Sequence, residues 1–529
     1  MTTVTGLEGA GGLLRLAVRR DRVRLTVWVV ALTLATYLSG NAMGTTFPTA
    51  AAIEAYARSA ASPAVVAMAG PPIALDTLPG IVISKVAVTC IIATALLAIL
   101  TVVRHTRSEE EEGRSEMLRA TVVGRHAGST AALMLACGAS VLLGVGTAVA
   151  LTGAAVPASS SWLFGAGIAM VGVVFAALTL VLSQVFTHAR TVIGAALALL
   201  GLAYVVRAAG DVGRNGLVWL SPIGWSQATH PLGDERWWPL LVSLAASVVL
   251  VGVAAALANR RDVGAGLVVP RNGSATASPQ LSGPVGLALR LQRGLLGGWA
   301  CGLFLMGVAV GSLSNAVQDM ARDNPTLVRY LAATGQGSLT DSYLSSMLLI
   351  MALVSAGFAV SSALRLRPDE TSGRLELLLS TGVSRSRCLL DTLVVTALGT
   401  VVVLVCGGLG LGLAYGLVVS DAAQPLRFAG LALVYAPAVL MLAALGVLLL
   451  GWRPAAAVVA WAALAVCFVL GWLGGLVHPP RWLQELSPFW HTPAVPVDPV
   501  SLTAPLLIAL SVGLLVAGGA VGLRRRDIG

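Results

Sequence analysis

The sequence predicts an all-α integral membrane protein whose twelve transmembrane helices form two parallel six-helix repeats. Hydrophobic residues make up 57% of the 529 positions, charged ones only 11%, and the mean hydropathy is +0.86, beyond what a water-soluble globular domain carries. Twelve apolar stretches approach the ~20 residues that a helix needs to cross a bilayer. The segment RHTRSEEEEGRSEMLRATVVGRH at 104–126 recurs as RLRPDETSGRLELLLSTGVSRSR at 365–387. A constant offset of 260 pairs Gly113 with Gly373, Arg114 with Arg374, Glu116 with Glu376, Leu118 with Leu378 and Arg125 with Arg385.

Along the chain, the first element is LLRLAVRRDR (13–22). There Arg15, Arg19 and Arg22 share one helical face and Leu13, Leu14, Ala17 and Val18 cover much of the rest. That pattern predicts a helix over 11–22 lying in the membrane interface with its arginines toward anionic headgroups, or else a basic flank of the first span. Spans follow at 23–42, 81–103, 129–154, 162–185, 191–209 and 237–258. A Gly/Pro/Ser-rich polar linker, 259–284, separates the halves 1–258 and 285–529. The second half opens with LALRLQRGLL (287–296), the counterpart of the first interfacial segment. Spans at 297–315, 343–364, 388–416, 427–451, 455–476 and 504–523 complete it.

The halves share further landmarks. LSPIGW (220–225) returns as LSPFWH (486–491), RRDVG (260–264) as RRDIG (525–529), and Arg19, Arg22 and Trp28 as Arg290, Arg293 and Trp299. Equivalent landmarks fall on the same side of the membrane, so the repeat is parallel, about an axis along the membrane normal. Of the 34 lysines and arginines, 25 lie on one predicted face (15–24, 104–125, 190, 260–293, 365–387, 453 and 524–526). The positive-inside rule places that face, with both termini, in the cytoplasm. Alanine- and arginine-rich composition with a single lysine points to a high-GC bacterium, hence a multi-pass protein of its plasma membrane.

The duplicated loop at 104–128 and 365–387 is an island of charge between apolar runs. Ser108 followed by Glu111 reads as a capping box, and Glu109–Glu112 load the positive end of a helix dipole. Alternatively, Gly113 and Gly373 break each helix into a turn and leave a shorter helix from Arg114 onward. Met117 and Leu118, like Leu377 and Leu378, put an apolar spot on a charged helix, which fits a groove in a partner protein.

Several activities are excluded. A phosphate-cradling loop of the G-x-x-x-x-G-K-[ST] kind needs a lysine, and Lys85, the only one, sits in the apolar run IVISKVAV. The chain therefore carries no Walker-type ATPase site and is not itself an enzyme. The six histidines are dispersed and the six cysteines lie in apolar segments, so no metal site or acid–base pair for membrane-enzyme chemistry is read. A proton-coupled secondary multidrug transporter of twelve spans is the alternative function. It wants ionisable groups inside the bundle, whereas Asp391 is placed near a span end, Asp211 in an outer loop, and Lys85 and Arg207 toward the outer side, snorkelling.

The pattern E-E-x-x-G-R-x-E-x-L between a second and a third span resembles the permeases of type-2 ATP-binding-cassette exporters. So does its setting: interfacial helix, span, outer loop, span, charged loop, then four spans ending in R-D-[VI]-G. Two such halves in one Ala/Arg-rich chain look like the actinobacterial exporters of polyketide antibiotics and other drugs. The resemblance implies elbow helices at 11–22 and 287–296, and a coupling helix in each charged loop that docks on an ATPase. The matching positions are Glu112, Gly113, Arg114, Glu116 and Leu118, with Gly373, Arg374, Glu376 and Leu378 in the second copy. There Thr371 and Ser372 replace Glu111 and Glu112. It further implies two copies of a separate ATPase subunit that bind ATP and Mg, no cofactor on this chain, and a hydrophobic or amphipathic cargo (drug, antibiotic or lipid). The cargo cavity would lie between the halves, lined by the second and fifth span of each, where Thr89, Thr94, Tyr204, Ser355 and Trp461 are the candidates. The LSP loops either plug its outer mouth or form interfacial turns.

Overall fold

The computed structural model describes residues 6–119, 123–261, 266–268, 275–276, 283–314, 338–371, 373–477, 480–501 and 503–526. Among them all regular structure is helical, and twelve stretches are long and apolar enough to span a membrane. The protein is thus a twelve-span integral membrane protein. It divides into two compact units, Met1–Gly273 and Ser274–Gly529.

In the first unit α1 (Ala10–Thr46) is followed by two short helices, α2 (Ala50–Ala60) and α3 (Pro63–Ala69), then α4 (Leu78–Arg104). The charged loop holds α5 (Arg107–Glu111) and α6 (Arg114–Arg119). Spans α7 (Ala127–Gly153), α8 (Ala158–Val185) and α9 (Ala189–Gly213) follow. A 3₁₀ turn (Gly216–Leu220) and the short α10 (Pro222–Gln227) lead to α11 (Pro239–Asn259). Helices α4 and α8 are central: Ile81, Ile91, Leu97, Ile99 and Phe175 are fully buried. By contrast α1 and α11 expose Val23, Val27, Leu38, Leu241 and Val248, as lipid-facing helices do. Helices α7 and α8 meet backbone to backbone at Gly144 and Gly165, where a Cβ on either would come within 2.4 Å of the other's carbonyl oxygen.

The second unit repeats the plan with α12 (Pro284–Ser312), α13 (Leu339–Ala363), α14 (Leu366–Thr371) and α15 (Arg374–Leu379). Then come α16 (Arg385–Val419), α17 (Gln424–Leu433), α18 (Ala436–Trp452), α19 (Val459–Val477), the single turn α20 (Arg481–Gln484) and α21 (Thr503–Arg525). Its core gathers Leu348, Phe358, Val360, Val403, Val439 and Val447. Ser384 starts α16 with its hydroxyl accepting from the Arg387 N–H at 3.2 Å. Ser384→Ala should therefore cost about 1 kcal/mol, read as a lower thermal midpoint of the detergent-solubilised chain.

Four sequence expectations change. The segments 11–22 and 287–296 are not separate helices but run without a break into their spans as α1 and α12. The tenth span breaks at Val434 and Tyr435, just ahead of Pro437, whose missing N–H cannot bond back to Leu433. Asp211 lies within α9 rather than in a loop, and Arg207 does not snorkel: it is fully buried and paired with Asp211. The LSP segments differ from each other. Ser221 caps α10, accepting from the Ile223 N–H at 3.2 Å, whereas Ser487 sits in irregular turns.

Candidate functional site: two charged loops of one design

Each loop turns on a glycine in the left-handed region, Gly113 at φ +70° and Gly373 at φ +72°, where a side chain would be strained. The glycine-break alternative is the one observed, giving two short helices per loop. Ser108 is not an N-cap. The chain turns at His105 and Thr106, α5 already begins at Arg107, and Ser108 falls inside its first turn. Glu111 serves another helix instead, its Oε1 accepting from the Ala189 N–H at the start of α9 at 2.8 Å.

Three anchors recur in both units. First, an arginine just past the glycine reaches back across the turn. Arg114 donates to Glu109 at 2.9 and 3.3 Å, and Arg374 donates to Asp369 at 3.0 and 2.8 Å. Second, an acid of the loop holds an arginine beyond the last span. Arg261 meets Glu110 at 2.7 and 3.1 Å, and Arg526 meets Glu370 at 2.7 Å. Third, an arginine at the loop's end satisfies carbonyls that the last span leaves open. Arg125 Nη2 donates to the Ala258 and Arg261 oxygens, each at 2.8 Å, and Arg385 donates to the Arg526 oxygen. The arginines of the R-R-D-[VI]-G motifs thus brace the charged loops. The Asp, Val or Ile, and Gly of those motifs, and most of the linker 259–284, lie outside the described residues.

The first unit adds bonds that the second lacks among the described residues. Arg107, 1% exposed, donates to Glu110 at 2.8 Å and to the Ser183 oxygen, while Arg261 Nε donates to Gln184 at 2.7 Å. Arg20 of α1 pairs with Glu109. Beside it in the chain, buried Asp21 receives Arg104 at 3.0 Å, His105 at 3.0 Å and Arg24 at 3.4 Å. In the second unit the corresponding position is Gln292, whose Oε1 accepts from Ser362 at 2.6 Å, so a charged cluster is matched by a neutral one.

Among the predicted coupling residues, Glu112 pairs with Arg114, while Glu116 and Glu376 are exposed. Arg114 and Arg374 tie the loop to itself. The equivalent residues Met117 and Leu377 stand out at 68% and 71% exposed, whereas Leu378 is half-buried. The Leu118 side chain and Ser372 lie outside the described residues. Sequence reasoning missed Glu109, Glu110, Asp369, Glu370, Arg261 and Arg526 as a braced set. A signal was present: acid and arginine recur with separations of 151 and 156 residues in the two halves.

The candidate cargo residues are not drawn together within either unit. Thr89 is exposed on α4, but Thr94 is fully buried against Gly172 of α8. The Tyr204 hydroxyl is committed to the Met68 oxygen at 2.7 Å. Ser355 is fully buried and donates to the Ala352 oxygen of its own helix at 2.7 Å, the usual way a small hydroxyl is satisfied in a span. Trp461 lies on α19, 43% exposed.

Comparison with known proteins agrees with the duplicated architecture. The family model for the C-terminal domain of multidrug efflux system permease Rv1217c matches twice, over residues 11–258 and 281–524. The multidrug efflux system permease protein Rv1217c of Mycobacterium tuberculosis (strain ATCC 25618 / H37Rv) is 42% identical over 532 residues, covering 99% of this chain and 96% of its own length. With one such domain fold in each half and full-length similarity to that permease, the chain belongs to the Rv1217c family of multidrug efflux system permeases.

Proposed function

We propose that this chain is the membrane-spanning permease of an ATP-driven exporter, with ATP and Mg bound by two copies of a separate ATPase subunit. The observation that carries this reading is the loop built twice to one plan and ending twice in an exposed apolar residue, Met117 and Leu377. A single exposed hydrophobe is ordinary. The same position exposed on two braced, charged helices is a repeated surface for a partner. Glu112, Glu116 and Glu376 supply polar contacts around that spot, Gly113, Arg114, Gly373 and Arg374 hold its shape, and Leu378 lies alongside in the second copy. The arginine distribution supports a cytoplasmic position for both loops and both termini. The relative's description as part of an efflux system fits a multi-component pump whose cargo is hydrophobic or amphipathic compounds. Thr89, Tyr204 and Trp461 remain proposed cargo contacts. Thr94 and Ser355 need a conformation that opens their surroundings.

The test is purification of the full chain from its host in mild detergent, followed by mass spectrometry of what accompanies it. Wild type should carry an ATP-binding-cassette ATPase. The double variant Met117→Glu/Leu377→Glu should lose it and lower export at least about tenfold, while its thermal midpoint stays put, because exposed surface changes cost little. Unchanged ATPase capture by that variant sinks the coupling assignment. A lone chain that still transports on a proton gradient establishes the secondary-transporter reading instead.

A further inference from the structure

At the charged-loop end of the first unit lies a cavity of about 140 Å³, room for roughly five waters. Leu13, Leu16 and Ala17 of α1 form one wall, and Gly128, Ala131 and Ala132 of α7 another. Arg20, Arg125 and Arg261 face it against two carboxylates, Glu109 and Glu110. Arg20 uses one amine on Glu109, and Arg125 one on the Ala258 and Arg261 carbonyls, so both guanidinium groups keep N–H donors for an incoming anion. Leu16 is 56% exposed, and Arg15, Arg19 and Arg22 are exposed on the same helix, which runs directly into the first apolar span.

In the second unit the equivalent space is much smaller among the described residues. Its counterpart, sharing the equivalent Glu370 and Arg385, is about 10 Å³. Leu366 stands there where the first unit has Thr106, and Cys388 where it has Gly128. A Cβ at Gly128 would meet nothing within 4 Å, so the cavity is space that even the smallest side chain begins to fill.

We propose that this cavity binds the headgroup of one anionic phospholipid, its phosphate between Arg20 and Arg125 and its glycerol end along Leu13, Leu16 and Ala17. An apolar wall beside paired arginines, on a helix entering the bilayer, suits an amphiphile better than a free ion. A lipid seated there would brace α1 against the charged loop of the first unit alone.

The experiment is native mass spectrometry of the full chain in detergent, titrated with dioleoyl-phosphatidylglycerol, dioleoyl-phosphatidylcholine or inorganic phosphate. Wild type should retain one phosphatidylglycerol at least about tenfold more tightly than phosphatidylcholine, and excess phosphate should not displace it. Gly128→Leu should lower that affinity at least about tenfold by filling the cavity, and Arg20→Gln about fivefold. Arg20 lies at the surface, so its variant remains informative if Gly128→Leu folds poorly. Cys388→Gly, which changes the second unit, should leave this site's occupancy unaltered. Equal retention of the two lipids, or wild-type retention by Arg20→Gln or by a folded Gly128→Leu, overturns the proposal. Displacement by phosphate alone identifies a phosphate site and overturns the lipid assignment.

Discussion

Glu110→Ala should destabilise the first unit by about 3–5 kcal/mol, because two buried arginines share its carboxylate. Arg107 and Arg261 are 1% and 9% exposed, and both bond to Glu110, at 2.8 Å and at 2.7 and 3.1 Å. Without it the two like charges lose the carboxylate that both bond, and their mutual repulsion is less well offset. Thermal unfolding in detergent, followed by tryptophan fluorescence, reads the loss. The equivalent Glu370→Ala should cost only about 1 kcal/mol, since Glu370 and Arg526 are each 19% exposed and solvent screens them. Equal costs in the two units would refute this account of the anchors. Restoring stability by adding Arg107→Met and Arg261→Met to Glu110→Ala would show that repulsion between buried charges, rather than lost contact, is the cause.

The second large effect is expected at the opposite end of the same unit. Arg207 is fully buried within α9, its Nη1 3.2 Å from Asp211, which is 5% exposed, and its guanidinium carbon 4.5 Å from the centre of the Tyr204 ring. Its Nε and Nη2 find no acceptor among the described residues. Asp211→Ala removes the only counter-charge among the described residues, so a loss of about 3–5 kcal/mol is expected, with Arg207→Met/Asp211→Ala close to wild type. The same residues hold the short helix α3. Tyr204 donates to the Met68 oxygen at 2.7 Å, and Arg207 Nη1 lies 3.5 Å from the Val66 oxygen. Limited proteolysis at residues 47–77 should therefore speed up in Asp211→Ala and recover in the double variant. A single variant with wild-type melting and cleavage would show that Arg207 is satisfied some other way.

The twelve spans were legible because an apolar run of bilayer length has few alternatives, and the duplication because glycine, arginine and acid recur at one offset. Helix continuity was harder to read. Amphipathic character marks where a helix meets a surface, but only a proline or a strained glycine says where it stops. So α1 and α12 were divided in two, while α17 and α18 were joined. The sequence pattern identified the charged loops, including the chance of a break at Gly113 and Gly373. It did not assign the bonds, because Glu110 and Arg261 are 151 residues apart and meet only when the ends of α4 and α11 come together. Small polar residues in spans were the least readable. Thr94 and Ser355 carry the same composition signal as cavity-lining residues, yet helix rotation turns them into the packing.

The continuity of α1 has a mechanical consequence. At 1.5 Å per residue its 37 residues form a rod of about 55 Å, longer than the bilayer's hydrocarbon core. The rod is held near one end, where Arg20 meets Glu109 and Asp21 meets Arg104 and His105, and along its length by α7, where Thr33 lies against Gly146 and Gly40 against Ala154. Helices resist bending where nothing interrupts their hydrogen bonds. From Asp21 to Thr46 the helix runs about 37 Å. A hinge near residue 22 would absorb a displacement of the charged loop; an unbroken helix passes it on to the spans packed against it.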